Sequence, residues 1–422
     1  MTASDHPRRG AARRAGQDPG RGIVLACALA YLPFTFLGYG TDIDVADVLR
    51  SGGRLLDGEA YAVSRPPGAF VHELGTSILD RLGGSVLVNL ASVAAATAAL
   101  WAVHELTRRD GSRWPGWVAL LVGANPWFWI AATSLGDYAW ALGFALSGAL
   151  QAHRGRRVLA GVLFGLAIGC RGSTGLLAAA WLIAERTGAP SFRPAWRASL
   201  TTAGTLLVVG AAAFVPPWLA ADRTLGFLEH AIPFAGWRIH LGRWAVKNAA
   251  VIGVPAGIVF LVGVRRGFGA LARWQASVVV RFAVFGFVVV ELLYLRWPYK
   301  PLHLLPVVAL VALLVGASPT VARPWMVALV AAQVVGGVVG STIGEPDVPH
   351  AATSGRVVLD VVAGPLLNDV RCRLEDREDG PWPDPTDPDQ LREAQTRAAE
   401  LFDCQSRTWK AEPREPAGSA GR

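Results

Sequence analysis

The sequence predicts an all-α membrane protein with about eleven transmembrane helices, a long first extracytoplasmic loop and a polar C-terminal tail. Composition gives the first reason. Of the 422 residues, 52% are hydrophobic and only 17% are charged, whereas soluble domains carry about 25% charged residues. The second reason is that the apolar residues gather in runs of about 17–22, the length that crosses the hydrocarbon core of a bilayer. A water-soluble fold does not need so many runs of this kind.

The apolar runs give the order of the spans. The stretch 158–185 could form one long span, but Arg171, Gly172 and Ser173 interrupt it near its middle. A charged residue at the bilayer centre costs about 3 kcal/mol on insertion scales, and a hairpin that lifts Arg171 to the interface avoids that cost. The predicted spans are 22–39, 84–103, 116–134, 138–152, 158–171, 173–185, 200–217, 247–264, 278–295, 302–317 and 325–343.

Arginine placement predicts the side of the membrane on which each loop lies. If the basic N-terminus, residues 1–21, is cytoplasmic, the inner loops carry most of the arginines, as the positive-inside rule expects. The membrane domain then covers 22–344, its first extracytoplasmic loop is 40–83, and the tail 345–422 lies outside. Topology therefore explains the net charge of +8 better than nucleic-acid binding does. The strong preference for arginine over lysine favours a bacterial plasma membrane. The inner-loop arginines are Arg108, Arg109, Arg113, Arg154, Arg156, Arg157, Arg186, Arg193, Arg197, Arg265, Arg266, Arg273 and Arg323.

The first extracytoplasmic loop begins with three aspartates, Asp42, Asp44 and Asp47. Apolar residues at helical spacing among and after them predict a short helix on the membrane interface. A carboxylate held there could act as a general base on an acceptor hydroxyl. The alternative is structural, because Thr41 could cap this helix and aspartates in a first turn favour the helix dipole.

The same loop continues with Tyr61-Ala62-Val63-Ser64-Arg65-Pro66-Pro67-Gly68, and Glu73 follows. Two prolines and a glycine predict a rigid turn. The turn would fix Arg65 against the membrane, where its planar guanidinium suits a phosphate. The alternative is an ordinary turn with an arginine that extends to the interface.

Taken together, these loop motifs resemble the membrane glycosyltransferases of the GT-C superfamily, such as the mannosyl- and arabinosyltransferases of cell envelopes. Three later segments follow in the order of that family. They are Asn125-Pro126-Trp127 with Gly136-Asp137-Tyr138, then Gly165–Arg171, then Tyr299-Lys300-Pro301-Leu302-His303. The likeness covers about residues 22–317. The sequence departs from the commoner adjacent acidic pair, since here the pair is Asp42 and Asp44, which leaves open which one is the base.

The resemblance implies an enzyme that transfers a hexose or pentose from a polyprenyl-phosphate donor to a hydroxyl on a glycan, lipid or protein acceptor, with inversion. It implies Asp44 as the first choice for the base and Asp42 as the second. The leaving group is a phosphate, so the site needs cations and not a general acid. In some members of the family the aspartate also assists a metal ion, so a divalent cation stays an option and no cofactor is predicted with certainty. The residues implied for donor-phosphate or substrate binding are Arg65, Arg171, Lys300, His303, Tyr61, Asp137 and Glu73.

The cysteines bear on the compartment. Cys372 and Cys404 are the two cysteines of the tail, and an extracytoplasmic tail meets oxidising conditions. We therefore predict a Cys372–Cys404 disulfide, with two unpaired thiols as the alternative. Cys27 and Cys170 lie in apolar segments and should pack as small hydrophobes.

Two other functions stay open beside sugar transfer. One is a membrane transporter or a flippase for lipid-linked sugars, and the other is an assembly subunit without activity. Transporters carry paired interrupted helices and ionisable groups near the membrane midplane, whereas the charges here concentrate at one face. The sequence does not identify the sugar, the acceptor or the linkage.

Overall fold

The computed structural model describes residues 20–187, 192–224, 236–253, 256–258, 269–298, 300–319, 321–344, 358–378 and 380–406, and every structural statement below concerns these residues. Most of the basic N-terminus, Tyr299 of the last family-like segment, and the end of the tail from 407 onward lie outside them.

The described chain is mainly helical, and each predicted span contains a helix. This confirms the predicted fold class. The helices are α1 (Gly20–Tyr31, continued by a 3₁₀ turn, Leu32–Phe36), α2 (Val45–Leu56), α3 (Phe70–Arg109), α4 (Pro115–Gly123), α5 (Pro126–Ala132), α6 (Asp137–His153), α7 (Arg157–Cys170), α8 (Gly175–Thr187), α9 (Phe192–Ala220), α10 (Trp237–Ile252), α11 (Val278–Arg296), α12 (Leu305–Ala317, preceded by a 3₁₀ turn, Pro301–Leu304), α13 (Arg323–Val338), α14 (Pro365–Glu378) and α15 (Pro388–Ser406).

By length and composition, three of these helices could each cross a membrane alone. They are α3, the part of α9 from Trp196 to Ala220, and α11. Shorter apolar helices lie at Gly20–Phe36, Arg157–Cys170, Pro301–Ala317 and Arg323–Val338. The protein is therefore an integral membrane protein, while the number of eleven spans stays a prediction.

A small antiparallel sheet follows α13 and was not predicted. Strand β1 (Val339–Gly344) pairs with β2 (Val358–Ala363), in a register that sets Val339 opposite Ala363 and Gly344 opposite Val358. The sequence analysis had placed 339–343 at the end of the last span. Glycines, which are unfavourable inside a helix, and β-branched residues, which favour strand, dominate this segment, so the helix ends at Val338.

Helix α3 bends at the boundary between loop and span. Gly84 adopts φ 59° and ψ −157°, a conformation that essentially only glycine tolerates. The bend separates the first part of α3, which carries His72 and Glu73, from the long apolar part that follows. The bend lies beside residue 83, the predicted end of the first loop, and that boundary stays a prediction.

The arginine-rich loops meet at the other end of α3. Glu105 accepts from Arg108 Nε at 2.9 Å and from Arg154 Nη2 at 3.1 Å. Arg157 at the start of α7 pairs with Glu185 near the end of α8, so these two helices form the hairpin that was expected around Arg171. The loops predicted to be cytoplasmic thus share one end of the helices, as an alternating topology requires.

The orientation itself is a prediction that cysteine labelling can test. Glu59 is exposed and lies in the first loop, and Ser112 lies between α3 and α4. A reagent that cannot cross the membrane should label Glu59→Cys in intact cells and should not label Ser112→Cys. Cys27 and Cys170 are buried and should add little background. The reverse pattern would place the candidate site in the cytoplasm and refute its proposed function.

The tail folds back onto the first loop. We call residues 358–378 and 380–406 the C-terminal cap. A disulfide joins Cys372 of α14 to Cys404 of α15, with Cα atoms 6.0 Å apart. Ala394 and Ala398 pack against Ala46 of α2, and the ring of Trp382 contacts Tyr39 at a centroid distance of 5.6 Å. The cap is therefore part of the wall around the first loop.

Candidate active site

The acidic pair lies at the entrance to α2. Val45, Val48 and Leu49 of α2 are at most 3% exposed, so the predicted amphipathic helix packs its apolar face inward. Asp44 occupies the N-cap position, but its side chain makes no capping hydrogen bond. Asp42 Oδ1 accepts the backbone N–H of Asp44 at 3.0 Å. The capping alternative therefore has no support at Asp44, and its carboxylate is available for other contacts.

Glu73 holds the turn that presents Arg65. Its carboxylate is fully buried and accepts hydrogen bonds from the hydroxyls of Tyr61 and Ser64, and from Ser51 Oγ at 3.2 Å. The backbone N–H of Gly68 closes the turn on the Arg65 carbonyl oxygen. Tyr61 and Glu73, both predicted to bind substrate, thus lie in a buried clamp behind Arg65, and in this arrangement they position that arginine.

Lys300 joins both aspartates. Its Nζ lies 2.7 Å from Asp42 Oδ1 and 3.0 Å from Asp44 Oδ2. The lysine side chain is 4% exposed, that of Asp42 8%, and that of Asp44 27%. Asp44 is therefore the carboxylate of this pair that a ligand can reach most easily.

Asp137 links the first loop to the tip of the α7–α8 hairpin. Its Oδ2 lies 2.8 Å from Arg65 Nη2, and its Oδ1 lies 2.7 Å from Arg171 Nη1. The other terminal nitrogen of Arg65 lies 2.8 Å from Asp44 Oδ2. Asp137 opens α6, where the helix dipole favours a negative charge. Arg65 thus bridges two carboxylates from segments far apart in the sequence.

Aromatic rings surround these charges. The Arg171 guanidinium lies 4.2 Å from the ring centroid of Tyr138. The His303 ring packs near Tyr138 and Tyr294, at centroid distances of 5.7 and 6.4 Å. His303 therefore lies beside the aromatic rings that flank Arg171, and its role in binding substrate stays a prediction.

The ion pairs balance in charge and fix the ionisation of Asp44. Asp42, Asp44 and Asp137 face Arg65, Arg171 and Lys300, so the network is formally neutral. Burial alone would raise the pKa of Asp44, but the charges of Lys300 and Arg65 and their hydrogen bonds outweigh it and hold that pKa well below its usual range. Asp44 is thus ionised at neutral pH and is a weak base while both cations contact it.

A small cavity lies between the acidic pair and the C-terminal cap. It is lined by Thr41, Asp42 and Lys300 on one side and by Phe402 and Gln405 of α15 on the other. Its volume of about 20 Å³ holds a water molecule but not a sugar. The Phe402 ring also lies 5.4 Å from Lys300 Nζ. A sugar at this position requires the lining side chains to move.

A divalent cation does not fit this arrangement well. Within the described ranges, no three His, Cys, Asp or Glu residues form a group that could hold a metal ion. The carboxylates of the acidic pair contact Lys300 and Arg65, which a metal would have to displace. We therefore derive no catalytic step through a metal.

Several residues of this site were not singled out from the sequence. Thr41, which could have capped α2, instead donates a hydrogen bond to Asp369 of the C-terminal cap. Asp44 occupies the N-cap position of α2. Tyr138 was noted only as part of a motif, and Arg373 and Phe402 not at all. Arg373 bonds to Leu37, 336 positions away, and Phe402 lines the cavity beside Asp42. No local pattern in the sequence encodes these contacts.

Comparison with known proteins decides the fold. The chain is similar to ArnT from Cupriavidus metallidurans bound to undecaprenyl phosphate, with TM-score 0.55 and 15% identity over 92% of this chain and 76% of that one. The apo state of the same protein gives TM-score 0.52 with the same identity and coverage. This chain has the fold of ArnT.

This fold agrees with the GT-C resemblance seen in the sequence, and at 15% identity the similarity establishes the fold alone. A weaker likeness, with TM-score 0.40 and 16% identity, covers 79% of this chain and 31% of arabinosyltransferase EmbB from Mycobacterium smegmatis. No protein-family model and no curated protein matches the sequence.

Proposed function

We propose that the protein transfers a sugar from a polyprenyl-phosphate donor to a hydroxyl acceptor on the extracytoplasmic side of the membrane. One observation carries this proposal. Three cations and three carboxylates from four segments of a GT-C fold converge at one end of the helices, next to apolar helices that can accommodate a lipid tail. The similar ArnT structure is bound to undecaprenyl phosphate, which supports a donor or product of that chemistry.

The cations serve the donor phosphate. A phosphodiester carries one negative charge and accepts the same N–H donors that now contact Asp44, so it competes with that carboxylate for Arg65 and Lys300. The planar fork of Arg65 suits the phosphate best, and Arg171 is held nearby through Asp137. The same cations stabilise the phosphate when it leaves with the electron pair of the broken C–O bond.

Asp44 is the proposed base, with Asp42 as the second choice. The acceptor oxygen forms a bond to the anomeric carbon on the face opposite the phosphate, and the carboxylate takes the hydroxyl proton. When the donor draws Arg65 and Lys300 away from Asp44, its pKa rises toward the ordinary value. Asp44 then becomes a stronger base at the stage when donor is present.

The test of the function uses two steps. Cells that lack the protein should accumulate one polyprenyl-phosphate sugar, which mass spectrometry of the lipid extract can identify. The purified protein in detergent should consume that lipid and release polyprenyl phosphate when acceptor extract is added. Micelles have no two sides, so a transporter or flippase consumes nothing in this assay. An unchanged lipid pool, or no consumption of the accumulated lipid, would refute sugar transfer.

A further inference from the structure

Arg373 of the C-terminal cap is the starting point. Its side chain is 1% exposed and lies between the end of the first span and the end of α5. Its Nε donates to the Leu37 carbonyl at 3.0 Å, and Nη2 donates to the carbonyls of Phe34 and Thr133 at 3.0 and 2.8 Å. The rigid fork of an arginine can hold two backbone segments at once, and a lysine cannot reproduce this.

These two segments lead directly to the carboxylates of the candidate site. Asp42 follows the anchored end of the first span by a few residues, and Asp137 follows Thr133 in the same way. The connections also touch each other, because Leu135 N–H donates to the Tyr39 carbonyl at 2.8 Å. Arg373 therefore fixes the spacing between the two acidic sites that Arg65 bridges.

A second link runs through a side chain. Asp369, 1% exposed, pairs with Arg373 at 3.3 Å through Oδ2. Its Oδ1 accepts from Thr41 Oγ1 at 2.7 Å, and Thr41 immediately precedes Asp42. Since Thr41 is also buried, this hydrogen bond is shielded from water and restrains the backbone that carries Asp42.

We propose that Arg373 and Asp369 of the C-terminal cap are positioning residues for the acidic site, acting through the anchored backbone carbonyls and through Thr41. They hold the backbones that carry Asp42, Asp44 and Asp137 in register, so that Arg65 and Lys300 can contact all of these carboxylates. The consequence for turnover rests on the proposed function, whereas the restraint of the loop does not.

Two variants test this proposal in the full-length protein. Arg373→Met removes the guanidinium while keeping an apolar side chain of similar length, and Arg371→Met is its control, since Arg371 lies on the same helix and is half exposed. Thr41→Val removes one hydroxyl, and Thr41→Ser restores it. Thr396→Val is the control for this change, because its hydroxyl bonds within α15 at an exposed position.

The first readout is amide hydrogen exchange of the purified protein in detergent. Peptides covering 38–48 should exchange faster in Arg373→Met and Thr41→Val than in the wild type, and Thr41→Ser and both control variants should match the wild type. A formed Cys372–Cys404 disulfide and protected α14 and α15 peptides show that the cap is folded. If the C-terminal cap does not fold in Arg373→Met, the result for Thr41→Val decides whether the proposal holds, because Thr41 lies outside the cap. Wild-type exchange of 38–48 in Thr41→Val would overturn the proposal.

The second readout is transfer from the accumulated donor lipid. Thr41→Val should lower kcat about tenfold, near the upper end of what one buried hydrogen bond contributes, with KM for the donor unchanged and with recovery in Thr41→Ser. If Thr41→Val lowers the amount of folded protein but leaves kcat unchanged, the hydrogen bond between Thr41 and Asp369 has only a structural role. If the wild type transfers no sugar, the exchange experiment still decides on positioning, so the two proposals fail separately.

Discussion

Replacing Asp44 by asparagine should reduce sugar transfer by at least about a hundredfold, the range in which a general base contributes to a rate. Asparagine keeps the shape of the side chain and can cap a helix as well as aspartate does, but it does not accept the proton. Donor binding should not weaken, because Arg65 and Lys300 remain and lose a competing carboxylate. The measurement is kcat and KM of the purified variant with the accumulated donor lipid.

The matched control is Asp47→Asn. Asp47 lies in the first turn of the same helix α2, and its carboxylate contacts Gln395 of the cap at 2.9 Å and not the ion pairs. This control should retain nearly full activity. Asp42→Asn tests the second choice for the general base. A larger loss of activity in Asp42→Asn than in Asp44→Asn would make Asp42 the base. Near-normal transfer by both would remove the general base from this loop and with it the main mechanistic argument.

Replacing Arg65 by alanine should raise the donor KM by roughly 10- to 100-fold, the effect of losing a charge-assisted hydrogen bond of about 1.5–3 kcal/mol. Arg65→Lys should recover only part of the loss, because an ammonium group cannot contact Asp44 and Asp137 as two ends of one planar fork. Arg81→Ala is a suitable control. Arg81 pairs with Asp57 in the same region, and both side chains are about half exposed. A donor KM that stays at the wild-type value in Arg65→Ala would exclude this arginine from phosphate binding.

The same variant has a pH signature. A carboxylate with a lowered pKa stays ionised until the pH falls through that lowered value, so the acid limb of kcat/KM in the wild type should lie below the usual aspartate range. Removing Arg65 takes away one of the two cations that lower the pKa of Asp44. The acid limb of Arg65→Ala should therefore move to higher pH, while that of Arg81→Ala should not move.

Local patterns in the sequence predicted the elements of this fold well. Charge and spacing located the break at Arg171, because an arginine inside an apolar run is costly in lipid, and the salt bridge between Arg157 and Glu185 shows the resulting hairpin. The apolar periodicity located α2. The last span was predicted too long, since apolar composition alone does not distinguish a helix from the strand that starts at Val339.

The candidate site was predicted less completely, for a physical reason. Asp44 and Arg65 stand in recognisable loop motifs, and Asp137, Arg171 and Lys300 are charges beside apolar runs, so each could be selected singly. Which of these charges pair with each other depends on how distant helices pack. The sequence also does not show that the Glu73 carboxylate bonds to Tyr61 and Ser64 and not to the cations. The contribution of α14 and α15 was missed because a polar, proline-rich tail has the composition of a segment without tertiary contacts.

The position of the C-terminal cap has a consequence for biosynthesis. Phe402 and Gln405, which close one side of the cavity beside Asp42, belong to the last described helix of the chain, and the ribosome makes them after all the membrane helices described above. In the predicted topology they must then cross the membrane and meet oxidising conditions before Cys372 and Cys404 can join. In that topology the chain inserts as a set of spans with an open site, and this side of the site closes only after residues 358–406 have crossed the membrane.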